Sequence, residues 1–342
     1  MEVPTYELPE AAIAQTPVEP RDAARLLVAL APDGSVEHRR VTDLPTLLGP
    51  GDLLVVNTSR VLPARLRLHK RSGGAAEVLL LEPAAGPPTG HTVWEALVHP
   101  GRRLAPGTEL LAGETPVAVV GERLAGGRRL VRLLTDGGQV GPQALLDAFG
   151  EVPLPPYIHE PLADPERYQT VYADVPGSVA APTAGLHLTV DVLDRCRARG
   201  VEVATVDLAV GLGTFRPVTS GAAEDHEMHT ERYAVPPATV DALARARRVV
   251  AVGTTTVRAL ETAAATGEPS GRSRLYIHGA FAWRCVDVLL TNFHQPRSTL
   301  LLLLEAFCGP GWRDLYATAL AERYRFLSFG DAMIVAGGRS RR

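Results

Sequence analysis

Val249-Val250-Ala251-Val252-Gly253-Thr254-Thr255-Thr256-Val257-Arg258 runs from an unbroken apolar stretch, through a single glycine, into a hydroxyl-rich segment that continues to Gly267. The first four residues read as a short buried strand. Thr255 to Thr266 reads as a helix ended by Gly267, with hydroxyls at its N-cap and Arg258 one turn in. The same alternation recurs on both sides. Val190 to Arg199 is amphipathic and stops at Gly200, and Val201 to Val206 follows as a strand. Pro237 to Arg248 reads as a helix, Val286 to Leu290 as a strand, and Leu300 to Phe307 and Trp312 to Arg323 as helices. Upstream, Leu53 to Val56 follows Pro50-Gly51-Asp52 as a buried strand. Arg25 to Leu30 leads into the turn signal Pro32-Asp33-Gly34, the mark of a hairpin. Alternating strands and helices of this kind imply a parallel or mixed sheet covered by helices.

Residues 62–156 have a different character. Glu77 to Leu81, Val93 to Val98, Val117 to Val120 and Leu130 to Leu134 are short apolar runs separated by Gly73-Gly74, Gly126-Gly127 and Gly137-Gly138. Only Pro142 to Phe149 reads as helix. This spacing indicates a small all-β barrel or sandwich. Pro153-Leu154-Pro155-Pro156 is a stiff connector. The plan is therefore an α/β domain made of residues 1–61 and 157–342, with an all-β domain of residues 62–156 inserted into it. The Gly- and Arg-rich tail from Gly337 is expected to be disordered.

The chain has 342 residues and a mass of 36.5 kDa, of which 46% are hydrophobic and 21% charged, so it can bury a core without staples. Thirty-five basic against 38 acidic residues exclude a generally cationic nucleic-acid coat but leave room for a local basic groove. Cys196, Cys285 and Cys308 are far apart and form no CxxC pair, which argues against a disulfide framework and fits a reducing compartment. The N-terminus lacks a signal-peptide pattern, and Leu300 to Leu304, the longest apolar run, is too short for a bilayer. The expected location is the cytoplasm, without a membrane partner.

Ligands of α/β sheets bind beyond the carboxyl ends of strands, and unusual polar residues stand at several predicted strand ends. Ala181-Pro182-Thr183-Ala184-Gly185-Leu186-His187 combines small residues with a histidine, and a helix starting near Thr189 would turn its N-terminus toward an anion there. The plainer reading is a tight loop with a solvent-exposed histidine. Gly211-Leu212-Gly213-Thr214-Phe215 superficially resembles a methyltransferase glycine loop, but Arg216-Pro217 does not open a helix. His226, His229 and Glu231 have the chemistry of zinc ligands, yet no HExxH pattern or cysteine supports metal. Acid/base or substrate-binding work fits them better, and a hydrogen-bonded polar loop is the bland alternative. Gly253-Thr254-Thr255 with Arg258, and Thr291-Asn292-Phe293-His294, complete the set. Arg60, Arg65, Arg67 and Lys70, the only lysine, could follow a phosphate backbone; the alternative is a solvated strand face.

Several segments, read in order, carry a resemblance. They are Gly51 to Val55 with Arg60-Val61-Leu62-Pro63-Ala64-Arg65, Pro153 to Ile158, Tyr168-Gln169-Thr170-Val171-Tyr172, and Ala180 to His187. Val252 to Thr255 with Arg258, Thr291 to His294, and Tyr324-Arg325-Phe326 with Phe329 to Met333 complete the series. Together, over nearly the whole chain, they resemble the S-adenosylmethionine:tRNA ribosyltransferase-isomerases of queuosine biosynthesis. The resemblance implies a mixed α/β barrel-like domain with an inserted small all-β barrel domain. It implies transfer and isomerisation of the ribosyl group of S-adenosylmethionine onto 7-aminomethyl-7-deazaguanine at the tRNA wobble position, giving epoxyqueuosine-tRNA, adenine and methionine. S-adenosylmethionine is then a consumed substrate, no cofactor or metal is needed, and the macromolecular partner is the tRNA anticodon stem-loop.

By resemblance and residue type, His187, His226, His229 and Glu231 are expected in proton traffic. Asn292 and His294 are expected to orient the ribose or adenine, and Thr183, Gly185, Gly213, Thr254 and Thr255 to line the donor pocket. Arg258, Arg325 and Asp331 are expected on the methionine carboxylate and ammonium, and Arg60, Arg65, Arg67 and Lys70 on RNA phosphates. The chain departs from the family at Ala209, where a histidine is usual, at Ile277 to Phe281, at Thr58 and at Ala24. A paralogue with a different acceptor, such as a small molecule, and a non-catalytic RNA-binding relative stay open at this point.

Overall fold

The computed structural model describes residues 3–31, 33–84, 92–134, 141–211 and 230–341. It contains two compact units. One comprises Met1–Arg60, Pro155–Val175 and Ala181–Arg342; the other comprises Val61–Leu154 and Pro176–Ala180.

The first unit is built on a nine-stranded mixed sheet. Its strand order is Ser270–Ser273, Glu231–Ala234, Glu202–Leu208, Asp52–Asn57, Arg248–Val252, Val288–Asn292, Ala332–Ala336, Arg25–Ala29 and Glu37–Arg40. The four strands from Glu202–Leu208 to Val288–Asn292 are parallel neighbours, so their carboxyl ends lie along one edge. Ala332–Ala336 returns antiparallel, with Asn292 opposite Ala332. All six residues of Asp52–Asn57 and all five of Val288–Asn292 are buried, as expected of strands covered on both faces. On one face Leu54, Val56, Val250, Val252 and Leu290 pack with Val192, Leu193 and Cys196 of the helix Val190–Ala198.

The helix Thr254–Thr266 is buried continuously from Thr254 to Thr262, so it is a core element rather than a surface one. Glu261 on this helix is fully buried. Its carboxylate accepts N–H groups of Arg284 (3.0 Å), Cys285 (3.0 Å) and Val286 (2.9 Å), which fixes the segment entering the strand Val288–Asn292. The start of the tail, Gly337 to Arg339, is held in place, contrary to expectation. Arg339 donates to both oxygens of Asp287 at 2.9 and 2.6 Å, an ion pair that ties it to the sheet.

The second unit closes a six-stranded antiparallel barrel. Arg65–Lys70, Ala75–Pro83, Val93–His99, Arg129–Leu133, Thr115–Arg123 and Glu109–Ala112 pair in that order, and Glu109–Ala112 pairs back onto Arg65–Lys70. Leu66 and Leu68 point inward, whereas Arg65 and Arg67 face out to Glu77 (3.6 Å) and Glu151 (2.9 Å). The basic run is therefore one face of a barrel strand.

Replacing Glu261 with Gln puts an amide N–H where backbone N–H groups need an acceptor. Hydrogen bonds to a charged group are worth roughly 1.5–3 kcal/mol each, so Glu261→Gln should destabilise the protein by about 2–3 kcal/mol. The check is the urea midpoint at unchanged m-value.

Candidate functional site

The parallel strands end on Asn57, Leu208, Val252 and Asn292. Asn57 joins three of these ends. Its Nδ2 donates to the Leu208 carbonyl (3.0 Å) and to Thr255 Oγ1 (3.3 Å), and its Oδ1 accepts from the N–H of Leu208 (3.1 Å) and Ser59 (3.1 Å). Asn292 organises the fourth end. Thr183 Oγ1 donates to its Oδ1 (3.0 Å), and its Nδ2 donates to the Leu327 carbonyl (3.1 Å) and to His187 Nε2 (2.9 Å). With Nε2 accepting, the His187 proton belongs on Nδ1, a tautomer assigned from this network.

His187 closes the 3₁₀ turn Thr183–His187 and is buried, not solvent-exposed. Burial, reinforced by the charges of Arg325, Arg167 and Arg21, pulls its pKa down to about 4. His294 is held by two tyrosines: its N–H donates to Tyr316 Oη (2.8 Å), and Tyr6 Oη donates to its carbonyl (2.5 Å). Its Nε2 meets Thr291 Oγ1 at 3.1 Å, and burial lowers its pKa to about 3. Leu327 adopts a left-handed φ of 68°, a strained conformation for leucine. Its N–H donates to the Phe293 carbonyl, and its own carbonyl accepts from Asn292 and Gly330. The next residue, Ser328, shares a 2.6 Å hydrogen bond with Tyr157, whose hydroxyl burial pushes up to about 12.

These residues surround a cavity that is open to solvent and lined by several convergent polar groups. Of the residues expected to line the donor pocket, Thr183, Thr254 and Thr255 line it, as do Asn292 and His294, expected on the ribose or adenine; His187 stands behind Asn292. Tyr157, Thr291 and Ser328 also line it and were not singled out as site residues. The first two stood inside quoted motifs, and Ser328 lies between two quoted segments. A second, smaller cavity shares Thr254, Thr255 and Leu300 with the first and is otherwise walled by Arg258, Leu275, Tyr276, Ile277, Thr299 and Leu303. Arg258 Nη1 is ion-paired with Glu231 Oε2, and the two side chains are only 7% and 4% exposed. Glu231 Oε1 accepts the Gly211 N–H (2.9 Å), and Arg258 Nε donates to the Leu275 carbonyl (3.2 Å).

The model of the family described as "Queuosine biosynthesis protein" matches residues 2–335. The chain belongs to this family. It is 51% identical to the S-adenosylmethionine:tRNA ribosyltransferase-isomerase of Rubrobacter xylanophilus over 335 residues, covering 97% of this chain and 96% of that one. It is also 51% identical to the enzyme of the same name from Moorella thermoacetica, over 96% of this chain and 98% of the other. The crystal structure of S-adenosylmethionine tRNA ribosyltransferase from Thermotoga maritima is similar, with a TM-score of 0.55 and 36% identity over 98% of this chain and all of that one.

Other residues expected from the queuosine family have different surroundings. Gly185 is required by packing: a Cβ there would collide with the Tyr172 hydroxyl. The carboxylate of Asp331 accepts the N–H of Arg25 and of Arg325, both at 2.8 Å, and the Arg325 guanidinium donates to the Thr16 carbonyl. Thr189 does not leave a helix end open to a ligand. Its Oγ1 accepts the Val192 N–H at 3.2 Å and lies 3.1 Å from Asp22. The helix Thr254–Thr266 is the opposite case: Gly253 is its N-cap and no side chain caps it. Its threonines point elsewhere, Thr256 Oγ1 to the Val252 carbonyl (2.6 Å) and Thr255 Oγ1 to Asn57. Arg60 pairs with Glu166 at 2.5 Å, and Lys70 stands at a barrel-strand end, its N–H on the Gly74 carbonyl. Gly213, His226 and His229 lie outside the described residues. Among the described residues, no group of three or more His, Cys, Asp and Glu is placed to hold a metal ion.

His187 and His294 have lower pKa values folded than the ~6.5 of a free imidazole. The unfolded chain therefore binds protons first. Their stabilisation is whole above about pH 6.5 and is lost as pH falls through 6 toward 4. An NMR titration of the ring signals should find both neutral from pH 8 to 5.

Proposed function

We infer that this chain transfers the ribosyl group of S-adenosylmethionine to 7-aminomethyl-7-deazaguanine in tRNA and isomerises it, yielding epoxyqueuosine-tRNA, adenine and methionine. The observation that carries this reading is the near end-to-end match, at 51% identity, to relatives bearing the ribosyltransferase-isomerase name. It favours this function over a paralogue with another acceptor and over a non-catalytic relative.

The reaction sets its own requirements. The sulfonium acidifies the neighbouring ribose carbon, a base takes that proton, adenine departs, and a neutral amine attacks. The overall change is redox-neutral, so the reading includes no cofactor and no metal. The first cavity suits the ribose and the base it carries. Thr183, Asn292 and His294 offer polar groups whose positions are fixed by partners behind them, and fixed dipoles stabilise developing charge without reorganising. The low pKa values of His187 and His294 make them poor bases near neutral pH, and a bound sulfonium lowers them further. We assign these two as neutral hydrogen-bonding and positioning groups and leave proton abstraction to His226 or His229. Arg60, Arg65, Arg67 and Lys70 remain our candidates for the phosphates of the anticodon stem-loop, and the cytoplasm is the corresponding location. Among the described residues no helix is long and apolar enough to cross a membrane.

The decisive assay is chromatographic release of adenine and methionine from S-adenosylmethionine, with and without tRNA carrying 7-aminomethyl-7-deazaguanine. Release should require the modified tRNA; its absence despite donor binding would refute the reading. Asn292→Ala leaves Thr183 and His187 without their shared partner and should lower kcat/KM about 10²-fold, the scale of misplacing site groups by an ångström. Arg67→Ala should leave turnover at saturating tRNA unchanged. It should reduce the salt slope of tRNA binding by about 0.7–0.9, the share of one phosphate contact.

A further inference from the structure

Residues 274–287, between the strands Ser270–Ser273 and Val288–Asn292, contain neither helix nor strand, yet they are held at both ends. The Leu275 N–H donates to Ser273 Oγ (3.2 Å), its carbonyl accepts from Arg258 Nε, and Glu261 fixes Arg284 to Val286. An irregular stretch of this length inside a compact unit is uncommon unless it carries function. Here it displays an aromatic pair. The rings of Tyr276 and His278 lie 4.5 Å apart at 47°. Tyr276 packs on Val3 and Leu302 and lines the second cavity, so the His278 ring rests on a fixed support. The His278 imidazole is half-buried and makes no hydrogen bond among the described residues.

Two cations belong to the same rim. Arg274 precedes Leu275, a wall residue of the second cavity, and Arg297 precedes Ser298, which lines the first. Both are exposed, and among the described residues neither side chain makes an ion pair. Arg65 and Arg67, by contrast, face Glu77 and Glu151 on the barrel. Arg297 holds a left-handed φ of 55°, unfavourable for arginine, with its N–H on the Pro4 carbonyl (3.1 Å). A supported aromatic ring with unpaired arginines beside it is the combination that takes an unstacked base and its flanking phosphates.

We propose that His278, supported by Tyr276, is the stacking surface for the acceptor base of the RNA, with Arg274 and Arg297 on the phosphates that flank it. The assignment rests on the reading above that the chain acts on tRNA, and it adds a surface on the α/β unit to the barrel arginines. The acceptor amine must reach the ribose of the donor, so its base has to stand at the rim of the donor's cavity. Tyr276 and Ile277 wall the second cavity, which shares Thr254 and Thr255 with the first, and His278 is the next residue. A stacking contact reads the face of a base and not its edge. His278 therefore seats the acceptor base without selecting its aminomethyl group.

The test measures binding of two anticodon stem-loops to the full-length protein without S-adenosylmethionine. One carries 7-aminomethyl-7-deazaguanine at the wobble position; the other has an abasic nucleotide there. The wild-type protein should prefer the first about tenfold or more, the scale of one base stacked on an aromatic ring. His278→Leu keeps an apolar side chain without an aromatic face and should erase most of that preference, and His278→Phe should restore it. Replacing Arg274 and Arg297 together with Ala should weaken both stem-loops alike and lower the salt slope of binding by about 1.4, the share of two single-strand phosphates. A preference that is absent from the wild type, or unchanged in His278→Leu, would overturn the stacking surface. An unchanged salt slope in the arginine double variant would overturn the phosphate contacts. Failure of the parent reading shows separately, as absent adenine release by the wild-type protein with modified tRNA. Intact release with a wild-type KM for tRNA in His278→Leu would strike the stacking surface alone.

Discussion

The site depends on one buried amide. Asn292 ends an all-buried strand and must satisfy a carbonyl oxygen and an NH₂ group away from water. It does so with Thr183, His187 and the Leu327 carbonyl. Two of these partners, Thr183 and His187, are the first and last residues of one 3₁₀ turn, and the third lies in the loop that precedes the antiparallel return strand. A polar group that cannot be left unpaired thus fixes the mutual positions of three backbone segments, which is how a fully satisfied buried network specifies one geometry. Leu327 shows the consequence. Its positive φ is unfavourable for leucine, and it persists because the carbonyl it presents is the acceptor Asn292 requires. Asn57 repeats the device two strands away, with the Leu208 peptide and Thr255 as its partners.

Electrostatics divide the site in the same way. The Asn292 side is neutral: two imidazoles with depressed pKa values, hydroxyls and an amide. Among the described residues that line the two cavities, the charged side chain is Arg258, paired with Glu231 next to an uncapped helix end. A buried ion pair of this kind contributes little net stability, because desolvation offsets most of the attraction. What it supplies is a fixed link between that helix and the strand Glu231–Ala234.

The sheet was legible because strands buried on both faces read as apolar runs: Leu53 to Val56 and Val249 to Val252 lie inside observed strands, and Val201 to Val206 does so except for its first residue. The strand Val288–Asn292 lies two residues later than the run Val286 to Leu290 suggests, because Thr291 and Asn292 are buried by partners that no hydropathy pattern contains. In Arg65 to Lys70 the inward Leu66 and Leu68 make a barrel strand, and Arg65 and Arg67 form its outer face, the solvated strand face that is the alternative to a phosphate contact. The polar strand ends identified Thr183, Asn292, His294, Thr254 and Thr255 as cavity-lining residues, since a polar cluster after an apolar run must face either solvent or a site.

What the sequence did not reveal was which polar group is already taken. Thr189 and Thr254 stand in similar contexts, each a threonine at the start of a helix. In one the hydroxyl closes the helix end; in the other a glycine with φ of 86° is the cap and the threonines turn away. That difference depends on Asn57, nearly 200 residues from Thr255, reaching its hydroxyl first. Asp331 and Glu231 differ in the same way. Both are buried carboxylates from the same set of candidates. Asp331 is filled by two backbone amides, whereas Glu231 shares its charge with an arginine that still has a nitrogen without an acceptor. Residue type proposes the members of a site, but only the inventory of long-range partners separates groups that hold the fold from groups left to hold a ligand.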